Sequence, residues 1–175
     1  LFSAEKAYQK AIKNSKAGQK EGLPLKNLLE KILPVLEEGL AVRSLEFNED
    51  EAKLIKSLQL LTSKPVLYVA NVNEDGFNNN PHLTTLTDYA SSENSQVVSV
   101  CADIEAEIAE LDDEDKQGFL DEMGQSESGL DRLIKAGYRL LGLHTYFTAG
   151  PKEVRAWTIN IGDSAPVAAG KIHGD

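Results

Sequence analysis

The chain has 175 residues, of which 41% are hydrophobic, and a formal net charge of −10, which allows one or two domains with a buried core. So acidic a balance excludes a chain-wide nucleic-acid footprint, which needs a basic surface, and leaves room only for a local basic patch. The single cysteine, Cys101, excludes an internal disulfide and fits a reducing compartment, and no run approaches the roughly eighteen apolar residues that a membrane span requires.

The start, Leu1-Phe2-Ser3-Ala4-Glu5-Lys6, is helical in pattern and not a signal peptide. With no initiator Met, and an ending at Gly170–Asp175 that reads as cut in mid-element, the natural chain is expected to extend beyond both ends. Ala4, Ala7, Tyr8, Ala11 and Ile12 recur at helical spacing, and their small side chains allow close helix contact. After a turn from Gly18 to Pro24, a return helix places Leu25, Leu28, Leu29, Ile32, Leu33 and Leu36 on one stripe, which predicts an antiparallel helical hairpin. Asn48 is a candidate N-cap for a third helix, with Glu49 and Asp50 at its positive end.

The period then changes. Val66 to Ala70 is a continuous β-branched and aromatic run, expected to be a parallel strand buried on both faces. Residues 80–93 read as a surface helix, and Gln96 to Ala102 as a second buried strand, so the three form a βαβ unit with a right-handed crossover. Ile104–Leu111 and Asp113–Met123 read as acidic helices. Ser128–Leu141 is a further helix with Leu130, Leu133, Ile134, Tyr138 and Leu141 on its apolar side. Beyond Gly142, Leu143–Thr148 and Val154–Ile161 read as short strands, followed by a helix from Ser164 to Ile172. A domain boundary is expected near residue 142.

The first strand ends on Asn71-Val72-Asn73-Glu74. Where P-loop nucleotide-binding proteins carry Asn-Lys-x-Asp, the Asp accepts from two in-line guanine donors, N1–H and the N2 amine. Glu74 stands in that place and is one methylene longer, so the fit to guanine is lost and adenine preference, or a relaxed purine preference, is expected. The other reading is an Asn-rich loop that only caps the following turn. The second strand ends on Ser99-Val100-Cys101-Ala102, and ligands in such sheets sit at the carboxyl ends of strands, so both loops should face one crevice. Cys101 also reads as a small buried strand residue.

Three runs, Lys64 to Phe77, Ala106 to Glu114 and Gly137 to Trp157, resemble the Obg-like ATPase (YchF) family of translation-factor-related P-loop GTPases. The likeness extends over nearly the whole chain. It implies an α/β fold: a partial P-loop NTPase parallel sheet, a helical (coiled-coil) hairpin insertion, and the beginning of a β-grasp-like TGS domain. The corresponding division is 1–45 for the hairpin, 46–142 for the second half of the nucleotide domain and 143–175 for the opening of the TGS domain. The resemblance implies a cytoplasmic, monomeric, ribosome-associated ATPase that also accepts GTP. Its nucleotide-binding residues here would be Asn71, Val72, Glu74, Ser99, Val100, Cys101 and Ala102. The family's phosphate-binding loop and Mg²⁺-binding Ser and Thr match nothing in this chain, and Gly170-Lys171 has no G-x-x-x-x-G frame. The Mg²⁺ ligands are therefore expected in a missing N-terminal part, and the segment alone is expected to be inactive.

Lys6, Lys10, Lys13, Lys16 and Lys20 form a basic stripe that could touch ribosomal RNA or simply solubilise the helix face. Arg155 and Trp157 could meet RNA or fill the small module's core. His82, His144 and His173 lack zinc-ligand spacing, and Asp112–Asp115 lacks the alternation and glycine of a calcium loop. The rival reading is a non-catalytic ribosome or RNA-binding module.

Overall fold

A computed structural model describes residues 1–17 and 22–173. The chain is α/β and divides into two units, Leu1–Pro65 and Val66–Asp175. Lys20 of the basic stripe lies outside the described residues.

The first unit is helical. Helix α1 (Phe2–Lys16) and helix α2 (Gly22–Glu37) run antiparallel: Tyr8 Oη donates to Glu30 Oε1 at 2.8 Å, while Gly22 lies against Ser15. A Cβ on Gly22 would come within 2.7 Å of the Asn14 carbonyl carbon, so only glycine admits this approach. Ala4 and Ala11 are fully buried, and their small size lets Leu29 of α2 pack between the helices. The apolar residues of α2 do not form the single expected stripe. Leu25, Leu29 and Leu33 face α1, whereas Leu28 and Ile32 join Val42 and Ile55 in a second core cluster. A helix packed between two neighbours needs an apolar arc wider than one seam.

A 3₁₀ turn at Val42–Ser44 leads to helix α3 (Glu49–Leu58), and a second turn covers Leu61–Ser63. Asn48 caps α3 by a reciprocal box: its Oδ1 accepts from Glu51 N–H at 2.9 Å, and Glu51 Oε2 accepts from Asn48 N–H at 3.0 Å.

The second unit begins with strand β1 (Leu67–Asn71), helix α4 (Pro81–Ser92) and strand β2 (Gln96–Val100). The two strands pair in parallel, Leu67 opposite Gln96 and Asn71 opposite Val100. Helices α5 (Ala102–Glu110), α6 (Asp113–Glu122) and α7 (Gly129–Leu140) follow. Strands β3 (Leu143–Ala149) and β4 (Val154–Asn160) form an antiparallel hairpin with Tyr146 opposite Trp157, and helix α8 (Ala165–His173) follows. Trp157 is half-buried and donates Nε1–H to Thr148 Oγ1 at 2.9 Å, while the Arg155 guanidinium lies 4.3 Å from its ring centroid.

Burial on both faces of β1 is not found. Val69 is 47% exposed, because among the described residues β2 is its only strand neighbour. The apolar side of α7 is likewise open: Leu130, Ile134 and Leu141 are 55%, 49% and 61% exposed, while Gly129 and Ala136 are buried.

Candidate functional site

The site begins at the paired carboxyl ends of β1 and β2. Parallel pairing carries both tips to the same edge, where Val72 N–H donates to Val100 O at 2.8 Å. Asn71 is exposed at the tip, and its Oδ1 accepts from the Ala102 backbone N–H at 3.0 Å. This bond ties the end of β1 to the first residue of α5. The Asn71 carbonyl oxygen and the Ala102 amide are therefore engaged with each other. Asn71 Nδ2 keeps both N–H groups without a protein partner among the described residues, so the amide acts outward as a donor only.

Beyond Val72, the chain makes a tight turn with Gly76 N–H donating to Asn73 O at 2.8 Å, which puts Glu74 on the exposed crest. The loop is closed by Asn80. Its Nδ2 donates to Gly76 O at 3.0 Å, and its Oδ1 accepts from His82 and Leu83 N–H at the start of α4. The capping role of this Asn-rich loop thus belongs to Asn80, while Asn71 spans to the second tip.

Below the tips, Cys101 is 1% exposed among Ile104, Ile108 and Leu120, with Phe77, Phe119 and Met123 packed around them. The thiol is a core group, and only the Cys101 backbone reaches the tip. Ser99 and Val100 are half-buried, and Ala102 is exposed.

Two residues that sequence reasoning passed over organise this corner. Arg132 of α7 donates from NH2 to Ser99 O at 3.2 Å, and from NH1 to Gln125 Oε1 and Glu127 O, both at 2.9 Å. Its guanidinium also lies 5.9 Å from the Phe77 ring centroid. One side chain therefore braces the second tip, the loop before α7 and the base of the Asn71 loop. Glu105 of α5 accepts from Gly129 N–H at 2.6 Å and Leu130 N–H at 3.1 Å, so its carboxylate sits on the positive end of α7. Two of the three Arg132 acceptors are backbone carbonyls, which leave no mark in the sequence.

The basic stripe is present on α1. Lys6, Lys10, Lys13 and Lys16 are exposed, with no ion pair among the described residues, whereas Lys26 and Lys31 of α2 pair with Glu30 and Glu51. The described residues contain no group of three or more His, Cys, Asp or Glu side chains able to hold a metal, and no helix long and apolar enough to cross a membrane.

The family model YchF-GTPase_C, described as "Protein of unknown function (DUF933)", matches residues 143–175. The "Ribosome-binding ATPase YchF" of Haemophilus influenzae is 54% identical over all of this chain and 48% of its own length. The protein of the same name from Bacillus subtilis is 50% identical over all of this chain and 49% of its own length. A solved structure titled "Structure of the Schizosaccharomyces pombe YchF GTPase" superposes with a TM-score of 0.87 at 30% identity, covering 99% of this chain and 48% of that one. The chain spans about half the length of the relatives it matches.

Proposed function

Along its whole length the chain belongs to the YchF family, and from that premise we propose that it supplies the base-recognition corner of a cytoplasmic, ribosome-associated nucleoside-triphosphatase that hydrolyses ATP and also accepts GTP. The observation that carries this reading is the Asn71–Ala102 bond. It holds the two strand tips together and leaves Nδ2 as a donor. Adenine and guanine both present N7 as an acceptor, so such a donor holds either purine. Glu74, on the exposed turn, would select between them. Its longer side chain misses the two-donor edge of guanine, which tilts preference toward adenine. Val72 and the Ser99–Ala102 loop would wall the base, with Cys101 contributing backbone only.

ATP supplies the phosphoryl group that is cleaved. In this reading the residues described here meet its base, and no phosphate or metal step is assigned to them. We place that chemistry in a preceding part of the intact protein, with residues 1–45 as a helical arm, 46–142 as the second half of the nucleotide domain and 143–175 as the opening of a TGS domain. The exposed Val69 and the open stripe of α7 support this, since each is apolar surface that a larger sheet would cover. Lys6, Lys10, Lys13, Lys16 and Lys20 are the ribosomal RNA contact in this reading. A purely non-catalytic RNA-binding module is less well supported, because the named relatives are ATPases as well as ribosome binders.

The test uses the full-length protein. Asn71→Asp keeps the oxygen that holds Ala102 and removes the outward donors, so ATP and GTP affinity should both fall about ten- to hundredfold with thermal stability retained. Glu74→Asp should shift competition toward GTP. Unchanged nucleotide affinity in the first variant would remove Asn71 from the base pocket. An unmoved ATP/GTP ratio in the second would remove Glu74 as the selector.

A further inference from the structure

Strand β2 pairs with β1 on one side, and no strand covers its other edge among the described residues. Successive residues of a strand turn their main-chain groups to opposite neighbours. Val100 O faces β1, since it accepts from Val72 N–H at 2.8 Å, so the main-chain groups of Val97 and Ser99 point to the open edge. The Arg132 contact agrees: its NH2 donates to Ser99 O there, at 3.2 Å. That guanidinium stands where the N–H of an adjoining strand would lie, so the protein's own sheet extends past β1 and not past β2. The N–H and C=O of Val97 and the N–H of Ser99 keep no partner among the described residues. Such an edge is a template for pairing with another chain.

Helices α4 and α7 cover opposite faces of β2. Tyr68, in register with Val97, meets the Tyr89 ring of α4 edge to face with centroids 6.0 Å apart, whereas Val100 lies against Gly129 of α7. Each helix leaves a hollow beside the open edge, about 330 Å³ on the α4 side and about 260 Å³ on the α7 side, and Gln96, Val97 and Ser99 line both. Small-ligand sites run from roughly 300 to 1,000 Å³, so each hollow suits a side chain better than a whole ligand. The α4 hollow has small and apolar walls, Leu83, Thr87, Ser91 and Ser95. In the α7 hollow Lys135 is paired with Glu127, and Arg132 is committed to its three acceptors. The Arg139 guanidinium is exposed there with no partner among the described residues.

We propose that the open edge of β2 takes up an extended segment of a partner protein as an added strand. Its main chain pairs with Val97 and the Ser99 N–H, and its side chains fall alternately into the two hollows, a small one against α4 and an acidic one against Arg139. Strand addition draws affinity from main-chain bonds and specificity from alternate pockets. A second copy of this chain fits less well. Two β2 edges pairing with each other would face Arg139 with the uncharged run Gln96-Val97-Val98-Ser99, which supplies no carboxylate. Nothing here depends on the Asn71 donors or on the α1 stripe, so the failure of either leaves this surface standing.

Full-length protein is titrated with a fluorescein-labelled decapeptide of alternating threonine and glutamate, and with the same peptide N-methylated throughout. The second keeps every side chain and loses every main-chain donor. The protein variants are Val97→Pro and Arg139→Glu. Proline is tolerated in an edge strand where its missing N–H faced no neighbour, so Val97→Pro should keep the wild-type melting temperature. Binding of the parent peptide should weaken at least about tenfold in each variant, and the N-methylated peptide should lose at least as much on the wild type. The N-methylated peptide reads the main-chain contribution even if Val97→Pro does not fold. Wild-type protein that fails to bind the parent peptide overturns the proposal, as does equal binding of the two peptides, which reduces the contact to charge. Val97→Pro that folds and binds like the wild type overturns it as well. Dimerisation of the wild type that Val97→Pro abolishes overturns it in favour of a second copy.

Discussion

The Asn71 amide engages one end only: Oδ1 accepts from the Ala102 N–H, and Nδ2 has no protein partner among the described residues. Asn71→Ala removes both functions, so it should lower nucleotide affinity and also loosen the tips, which Asn71→Asp should not. Amide hydrogen exchange at Ala102 in the two variants checks the difference. Arg132 is the second residue on which the corner depends. Its fork reaches Ser99 O, Gln125 and Glu127 O from one planar group. Lysine, a point charge, cannot reproduce three directions at once. Arg132→Lys should therefore cost about 1–3 kcal/mol of stability, read by chemical denaturation. It should also raise the Kd for both purine nucleotides alike, since it positions the second tip and touches no base edge.

Two helix starts carry predictions at the scale of the element. In α7, the Glu105 carboxylate occupies the space above Gly129: a Cβ there would lie 2.7 Å from Glu105 Oε1 and 3.1 Å from Val100 Cγ1. Gly129→Ala must therefore push the carboxylate off the first amides of α7 and press on the tip of β2. We expect a loss of about 1–3 kcal/mol and weaker ATP binding, measured by thermal melting and calorimetry. In α3, the Asn48 backbone N–H donates to the Glu51 carboxylate, and with the nearby Lys31 ammonium this lowers the Glu51 pKa below the ordinary carboxylate value. Glu30 is lowered as well, first by Lys26 and then by Tyr8. A carboxylate whose pKa falls on folding stabilises the fold above its unfolded pKa and loses that contribution as pH drops through the folded value. The melting temperature should accordingly fall on acidification through and below the carboxylate range. Glu51→Gln should flatten that acid limb, and a scan of melting temperature against pH checks it.

At the scale of the whole molecule, the open surfaces are informative. Leu130, Ile134 and Leu141 lie along one side of α7 and stay about half or more exposed, although this helix has the sharpest division of apolar and polar sides in the chain. A chain that spans about half the length of its relatives can present as surface what is interior in the intact protein. Ile134→Gln should change the stability of the 175-residue segment by no more than about 0.5 kcal/mol, as a surface substitution does. In the full-length protein it should cost about 1–3 kcal/mol. Denaturation of both forms tests this, and equal small effects would show that nothing covers the stripe.

Periodicity alone determined most elements of this protein. Leucines and small alanines at helical spacing marked α1 and α2, Asn48 with Glu49 and Asp50 marked the start of α3, and the apolar runs at Val66–Ala70 and Gln96–Ala102 marked two parallel strands. These signals are local, set by backbone geometry over a few residues, so they survive in a string of letters. Tertiary structure alone decided the rest: that α2 serves two neighbours, that Val69 and the α7 stripe remain open, and that Asn71 and Ala102 satisfy each other. The bracing of Ser99 by Arg132 and of Gly129 by Glu105 belongs here too, since these partners are main-chain groups 33 and 24 residues away. Every residue carries such groups, so which of them meet is settled only when the chain has folded.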